Sequence, residues 1–265
     1  YWPGLNINQN FGGVNVMARD PNSQLVLGTA CLNSLLVSNE ATMTLGATSL
    51  GVENGRISAG LVDGTNSTLT VNSLKLGDDI NFNREGAANW TTNQIGVLVV
   101  SNFGAVVSLG NVIVGAATNS YLSSSNALIV AGGNLVVTNE AHNNTLEVRR
   151  GTLQVQGAGG AIMIDNFTAT NNNTITFVAD VNGVTPIDVG QAFTINTNTI
   201  LNIDLSAYDK SKGNILTLAS YGSMPTKFAP ENITITPSGI LGRLDQTIGN
   251  EIRFIWELGT VIVVH

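Results

Sequence analysis

The sequence predicts an all-β chain, a right-handed parallel β-helix (β-solenoid) with a β-rich C-terminal capping part, and three observations predict it. Short runs of alternating apolar and polar residues recur along most of the 265 positions, which is the period of a strand with one buried face. Gly- or Asn-containing breaks separate the runs, as tight corners would. One phrase is repeated: Ala-Leu-Ile-Val, Gly-Gly-Asn, Leu-Val-Val at Ala127 to Val137, then Thr-Leu-Glu-Val, Arg-Arg-Gly-Thr, Leu-Gln-Val at Thr145 to Val155, begun again at Ala161. Leu128, Leu146 and Ile164 stand at equal steps (146 − 128 = 18, 164 − 146 = 18), so a coil near 18 residues is expected. Strand, corner, strand at a fixed pitch is how stacked coils look in sequence. Such a phrase cannot bury its apolar side alone, and neighbouring coils supply both the cover and the backbone partners. Right-handedness follows from the chirality of parallel crossovers.

Taken in order, Tyr1 to Phe11 stands apart, with Tyr1, Trp2, Leu5, Ile7 and Phe11 and no charge before Arg19. Residues 1–12 read as an N-terminal cap or a strand bridging to a second subunit. The solenoid is expected over 13–205. It opens with the pairs Leu25/Leu27, Leu35/Val37, Met43/Leu45 and Leu50/Val52, then Leu69/Val71 with Leu74/Leu76 and an exit turn at Gly77-Asp78-Asp79. Ile80 to Gln94 breaks the rhythm and reads as a projecting loop, where binding is commonly placed on a repetitive scaffold. The alternation resumes at Val97 to Val100, runs through the repeated phrase, and continues at Ile175 to Val178, Phe193 to Ile195 and Ile200 to Leu205.

Residues 206–265 read as a β-rich C-terminal cap. After a polar break at Ser206 to Gly213 come Asn214 to Tyr221, Phe228, Asn232 to Thr236, Arg243 to Gln246, Glu251 to Trp256 and Thr260 to Val264. This order of strands resembles the C-terminal end of secreted β-strand-repeat proteins of the autotransporter-passenger type, in ordered pattern over about the last 55 residues and in style over most of the chain. The resemblance implies a part that closes a right-handed parallel β-helix.

Composition narrows the function. Asn is the commonest residue, ahead of 29 Gly, and only 11% of residues are charged, against roughly 25% in ordinary domains. Net charge is −7 and the 11 basic residues are scattered, which excludes a phosphate-binding groove and hence nucleic acid as a partner. The one cysteine, Cys31, permits no disulfide framework and reads as a small buried hydrophobe. No apolar run reaches the length of a transmembrane helix. The start at Tyr1, without Met or a leader, is expected of a mature secreted product, extracellular or at the cell surface.

Candidate chemistry is sparse. If the 18-residue step were the coil, Glu147 and Asp165 would stack outward about 5 Å apart, the separation of a retaining glycosidase pair, with Arg149 alongside as a structural counter-charge. Asp78, Asp79, Arg84 and Glu85 form a dense charge cluster with a lyase-like alternative to local salt bridges. Asp180-Val-Asn-Gly and Asp63-Gly-Thr-Asn lack the further carboxylates of a calcium cage, and His142 and His265 assemble neither a triad nor a metal site. Thr-x-Thr pairs at Thr42, Thr68, Thr168, Thr174, Thr197 and Thr234 are too irregular to predict one flat face. Asn-x-Ser/Thr at Asn66, Asn89, Asn143, Asn166, Asn172 and Asn232 occurs about as often as composition alone produces.

The expectation is therefore a non-enzymatic structural subunit, without cofactor or metal, of an extracellular filament or surface coat. Open coil ends template pairing, so the partner is another copy of the chain, head to tail, through Tyr1, Trp2, Leu5, Ile7 and Phe11 at one end and Phe254, Trp256, Val261 and Val263 at the other. The alternatives are a monomeric adhesin that binds surface glycans through Ile80 to Gln94 and a carbohydrate-active enzyme using Glu147 and Asp165.

Overall fold

The computed structural model describes residues 14–18, 24–27, 30–51, 57–77, 95–115, 125–170, 173–224, 226–247 and 249–256. Its strands in chain order are β1 Val14–Ala18, β2 Gln24–Leu27, β3 Ala30–Ser38, β4 Thr42–Leu50, β5 Ile57–Asp63, β6 Thr68–Leu76, β7 Ile95–Ser101, β8 Ala105–Ser108 and β9 Val112–Val114. The repeated phrase supplies β10 Ala127–Ala131, β11 Asn134–Val137, β12 Thr145–Val148, β13 Gly151–Gln156 and β14 Ala161–Ile164. Then come β15 Asn166–Ala169, β16 Asn173–Val178, β17 Ile187–Ile195, β18 Ile200–Asp204, β19 Ile215–Ser223, β20 Ile233–Thr236, β21 Gly242–Asp245 and β22 Glu251–Trp256. Two 3-10 turns, Lys210–Lys212 and Pro230–Asn232, are the helical elements among the described residues.

The chain is all-β, and its pairing sorts the strands into three parallel ladders. The first runs β1, β3, β5, β7, β10, β13, β16, β18, β20. Successive rungs stack about 4.8 Å apart, so its eight steps span about 38 Å. The second ladder runs through β2, the first half of β4, the first half of β6, β8, β11, β14, β17 and β19. The third begins with Ala30–Leu32 and the second halves of β4 and β6, and continues through β9, β12, β15 and the end of β17.

This topology corrects the expected 18-residue coil. Leu128, Leu146 and Ile164 lie on β10, β12 and β14, that is, on three different ladders. The stacked partner of Leu128 is Leu153, of Leu146 is Phe167, and of Ile164 is Val189. The repeat therefore varies (153 − 128 = 25, 167 − 146 = 21, 189 − 164 = 25), because corners of different length separate strands of similar length.

Alternation in the strands becomes columns in the fold. Leu98, Leu128, Leu153, Ile175 and Leu201 stack in register in the first ladder, beside Val62, Val100, Val130, Val155, Phe177 and Ile203. All are at most 2% exposed, and each such side chain contributes roughly 1.5–3 kcal/mol of burial. Where the third ladder turns into the first, Ser58, Asn126, Asn173 and Thr199 are buried. Asn126 Oδ1 accepts a bond from the Gly96 N–H at 2.9 Å. A Cβ on Gly77, which has φ +73°, would come within 2.1 Å of that same oxygen. Glycine is required there by both conformation and space.

Parallel pairing does not stop at the expected boundary after Leu205. β19 and β20 still continue the second and first ladders. The change comes with β22, which runs antiparallel to β19 and to β21.

Candidate functional site

The C-terminal end is built around aromatic side chains. Phe193, the last inward aromatic of the third ladder, packs on Phe167 with ring centroids 4.6 Å apart, and it meets Phe228 edge-on at 6.4 Å. The loop carrying Phe228 is clamped by Gln246, whose Oε1 accepts from the Phe228 N–H at 2.9 Å and whose Nε2 donates to the Phe228 carbonyl. Trp256 stacks on Tyr208 at 4.8 Å and meets Phe254 edge-on at 4.8 Å. Phe254 is fully buried and Trp256 is 7% exposed. The two residues expected at a subunit interface therefore face into the chain's own cap, for a simple reason: alternate side chains of β22 are buried, as on a core strand, and its apolar side has Leu216 and Leu244 opposite Phe254. Tyr1, Trp2, Leu5, Ile7, Phe11, Val261 and Val263 lie outside the described residues.

The cap is pinned by an ion pair. Arg253 Nη2 donates to Asp245 Oδ2 at 3.0 Å, while the Thr247 hydroxyl and N–H donate to Asp245 Oδ1 at 2.8 and 3.0 Å. The Thr247 hydroxyl is the main cause of an Asp245 carboxyl held below its ordinary pKa, Arg253 adding to it against the opposing effect of burial. Burial raises the phenols of Tyr208 and Tyr221 above their ordinary range, with a smaller push from Asp209 and Asp245 respectively.

The carboxylate pair that an 18-residue coil would stack does not form. Glu147 faces outward on β12, in register with Ile113 and Thr168, and its Oε1 accepts from Arg149 Nε at 2.7 Å. Asp165 sits at the corner between β14 and β15 with its side chain 3% exposed. Its Oδ2 accepts from the N–H groups of Asn139 and Asn144 at 2.9 and 3.2 Å, and Oδ1 lies 3.2 Å from His142 Nδ1. Asp165 thus fastens the 138–144 corner to the coil beside it, and His142, which the sequence left in a turn, is its outer partner. Asp180 does similar work, accepting from Asn182 and Gly183 through Oδ1 and from Ala158 through Oδ2. Asp78, Asp79, Arg84, Glu85, the Ile80 to Gln94 loop, Asn89, Asn172 and His265 lie outside the described residues. Cys31 lies on β3. Among the described residues there is no group of three or more His, Cys, Asp or Glu that could hold a metal ion, and no helix there is long and apolar enough to cross a membrane.

Two surface features stand out, one at the Thr-x-Thr pairs and one that the sequence did not single out. Thr42 and Thr44 stack in register on Thr68 and Thr70, so one pair of the Thr-x-Thr motifs does share a face. At the corner between β7 and β8, Phe103 is 56% exposed. Its only sequence signal is the order Asn102-Phe103-Gly104, where a turn of this kind would favour Asn followed directly by Gly. No family model, curated protein or solved structure matches this chain.

Proposed function

We propose that the chain is a right-handed parallel β-helix that serves as a structural subunit of an extracellular filament or cell-surface coat, assembling with copies of itself and not acting as an enzyme. The observation that carries this reading is the state of the first ladder's two ends. Among the described residues β1 pairs only with β3 at one end and β20 only with β18 at the other. Both are parallel rungs of one ladder, so β1 of one copy fits beside β20 of the next as a further rung. Such a contact is heterologous and propagates unless it closes into a ring. The C-terminal side of the contact then falls on the edge of β20, since Phe254 and Trp256 are occupied within the cap. The low charge supports stacking, because the outward residues of β10, β13 and β16 (Ala127, Ile129, Ala131, Thr152, Gln154, Gln156, Thr174, Thr176 and Val178) carry none. Electron microscopy and sedimentation of the full chain test the proposal. Fibres are expected, shortened by the double change Thr234→Lys with Thr236→Lys, which puts charge on the open edge. A chain that stays monodisperse at high concentration overturns the proposal.

A further inference from the structure

Phe103 occupies a position that folding alone does not explain. It is the second of two adjacent left-handed residues, Asn102 at φ 49° and Phe103 at φ 64°. A bulky side chain is uncommon there, since only Gly, and less often Asn or Asp, adopts this region without steric cost. The backbone is firmly held: the Phe103 N–H donates to the Gly132 carbonyl at 2.8 Å, and Asn134 Nδ2 donates to the Phe103 carbonyl at 3.1 Å. The ring itself is 56% exposed and makes no aromatic pair among the described residues. A solvent-facing aromatic ring on a firmly held backbone is thus maintained at a turn where glycine would be easier.

Its surroundings define what could lie on it. Along the axis the next two coils present glycine backbone at the same corner. A Cβ on Gly132 would meet nothing within 4 Å, and one on Gly159 would touch the Phe103 ring at 3.8 Å. The ring edge therefore borders open space floored by main chain. On its other side Asp63 Oδ1 accepts from Ser101 Oγ at 2.6 Å and Asn102 Nδ2 at 2.8 Å, leaving Oδ2 as an acceptor. The corner thus combines an aromatic face with carboxylate, amide and hydroxyl groups. It carries Asp63 but neither Lys nor Arg at Asp63–Asn66, Ser101–Ala105 or Ala131–Asn134, and the chain's net charge is −7, so anionic ligands are repelled.

The geometry points to a binding subsite for a neutral polysaccharide at this corner, one sugar ring stacked on Phe103 and the chain running over Gly132 and Gly159. The C–H groups on a pyranose face carry slight positive charge and suit the negative face of an aromatic ring, while the sugar hydroxyls donate to Asp63 Oδ2 and exchange bonds with Asn102. This site is independent of end-to-end assembly.

Native electrophoresis of the full chain through gels containing laminarin, mannan, dextran or hydroxyethylcellulose, with polygalacturonate as the anionic control, tests it. At least one neutral gel should retard the protein. Phe103→Gly should weaken that retention tenfold or more with unchanged far-ultraviolet circular dichroism and an equal or higher melting temperature, because glycine accepts the left-handed turn. Phe103→Trp should restore retention. The proposal is overturned if no neutral gel retards the chain, if polygalacturonate retards it more than they do, or if Phe103→Gly is retained like wild type. It is also overturned if Phe103→Gly changes the sedimentation coefficient, since Phe103 would then be a contact between copies.

Discussion

Strand β10 is covered on both edges by strands of its own kind, with Leu128 held between Leu98 and Leu153 in unbroken register. Strand β22 is covered on both edges by antiparallel neighbours, with Phe254 opposite Leu216 on β19 and Leu244 on β21. In the middle, each apolar side chain is packed by near-copies one coil away, so small aliphatics suffice and the pattern can repeat indefinitely. At the end the repeat has no next copy, and the chain hides its last coil with larger aromatic side chains and a reversed strand direction. Stability in a stacked fold is nearly a sum of neighbour terms. The two regions should therefore fail separately when damaged.

The largest effect is expected in the middle. Val130→Asp places a carboxylate among side chains that are at most 1% exposed, in a column with Val100 and Val155 and with no counter-charge in that column. Destabilisation beyond about 4–5 kcal/mol is expected, read as loss of the strand signal in circular dichroism and loss of amide protection in rungs on both sides. Retained protection in β7 and β13 would mean that the rungs are not coupled. Phe254→Ala should cost about 3–5 kcal/mol but open only the cap. Hydrogen exchange should rise over 215–256 while β10 to β16 stay protected, and a uniform rise would contradict the separation.

Acid should distinguish the same two regions more gently. Asp245 has a folded pKa below its ordinary value, chiefly through the Thr247 hydroxyl. A depressed carboxylate contributes stability that is present above its unfolded pKa of about 3.9 and is lost as pH falls through the lower folded value. Melting followed by exchange at β21 and β22 should weaken below about pH 4, ahead of the first-ladder strands β10, β13 and β16, which carry no carboxylate. Asp245→Asn should flatten that dependence.

The all-β character of the chain was legible because alternation and Gly or Asn corners are local properties. Gly77, Asn126 and Gly151 are written in the sequence where the chain turns. The coil length was not, because equal 18-residue steps connect neighbouring faces as readily as neighbouring coils, and only pairing tells them apart. Phe254 and Trp256 read as exposed because an apolar terminal strand looks the same whether it meets Tyr208 of its own chain or a second copy. Phe103 was invisible for the opposite reason: a single aromatic among Asn and Gly departs from no pattern, and its meaning lies in a positive φ that sequence does not display.

The corrected register makes one last distinction between an outer face and a corner. Were Glu147 and Asp165 stacked on adjacent coils, removing either charge would relieve repulsion, and the two changes would be coupled. In the structure Glu147 is 22% exposed on the third ladder and paired with Arg149, so Glu147→Gln should cost less than about 1 kcal/mol. Asp165 is buried and satisfies two corner N–H groups, so Asp165→Ala strands both donors and should cost about 1–3 kcal/mol. With no shared partner, the double variant should equal the sum of the singles within about 0.3–0.5 kcal/mol, measured by urea unfolding. A larger coupling, or stabilisation by Glu147→Gln, would place the two carboxylates side by side after all, and with them would return the 18-residue coil.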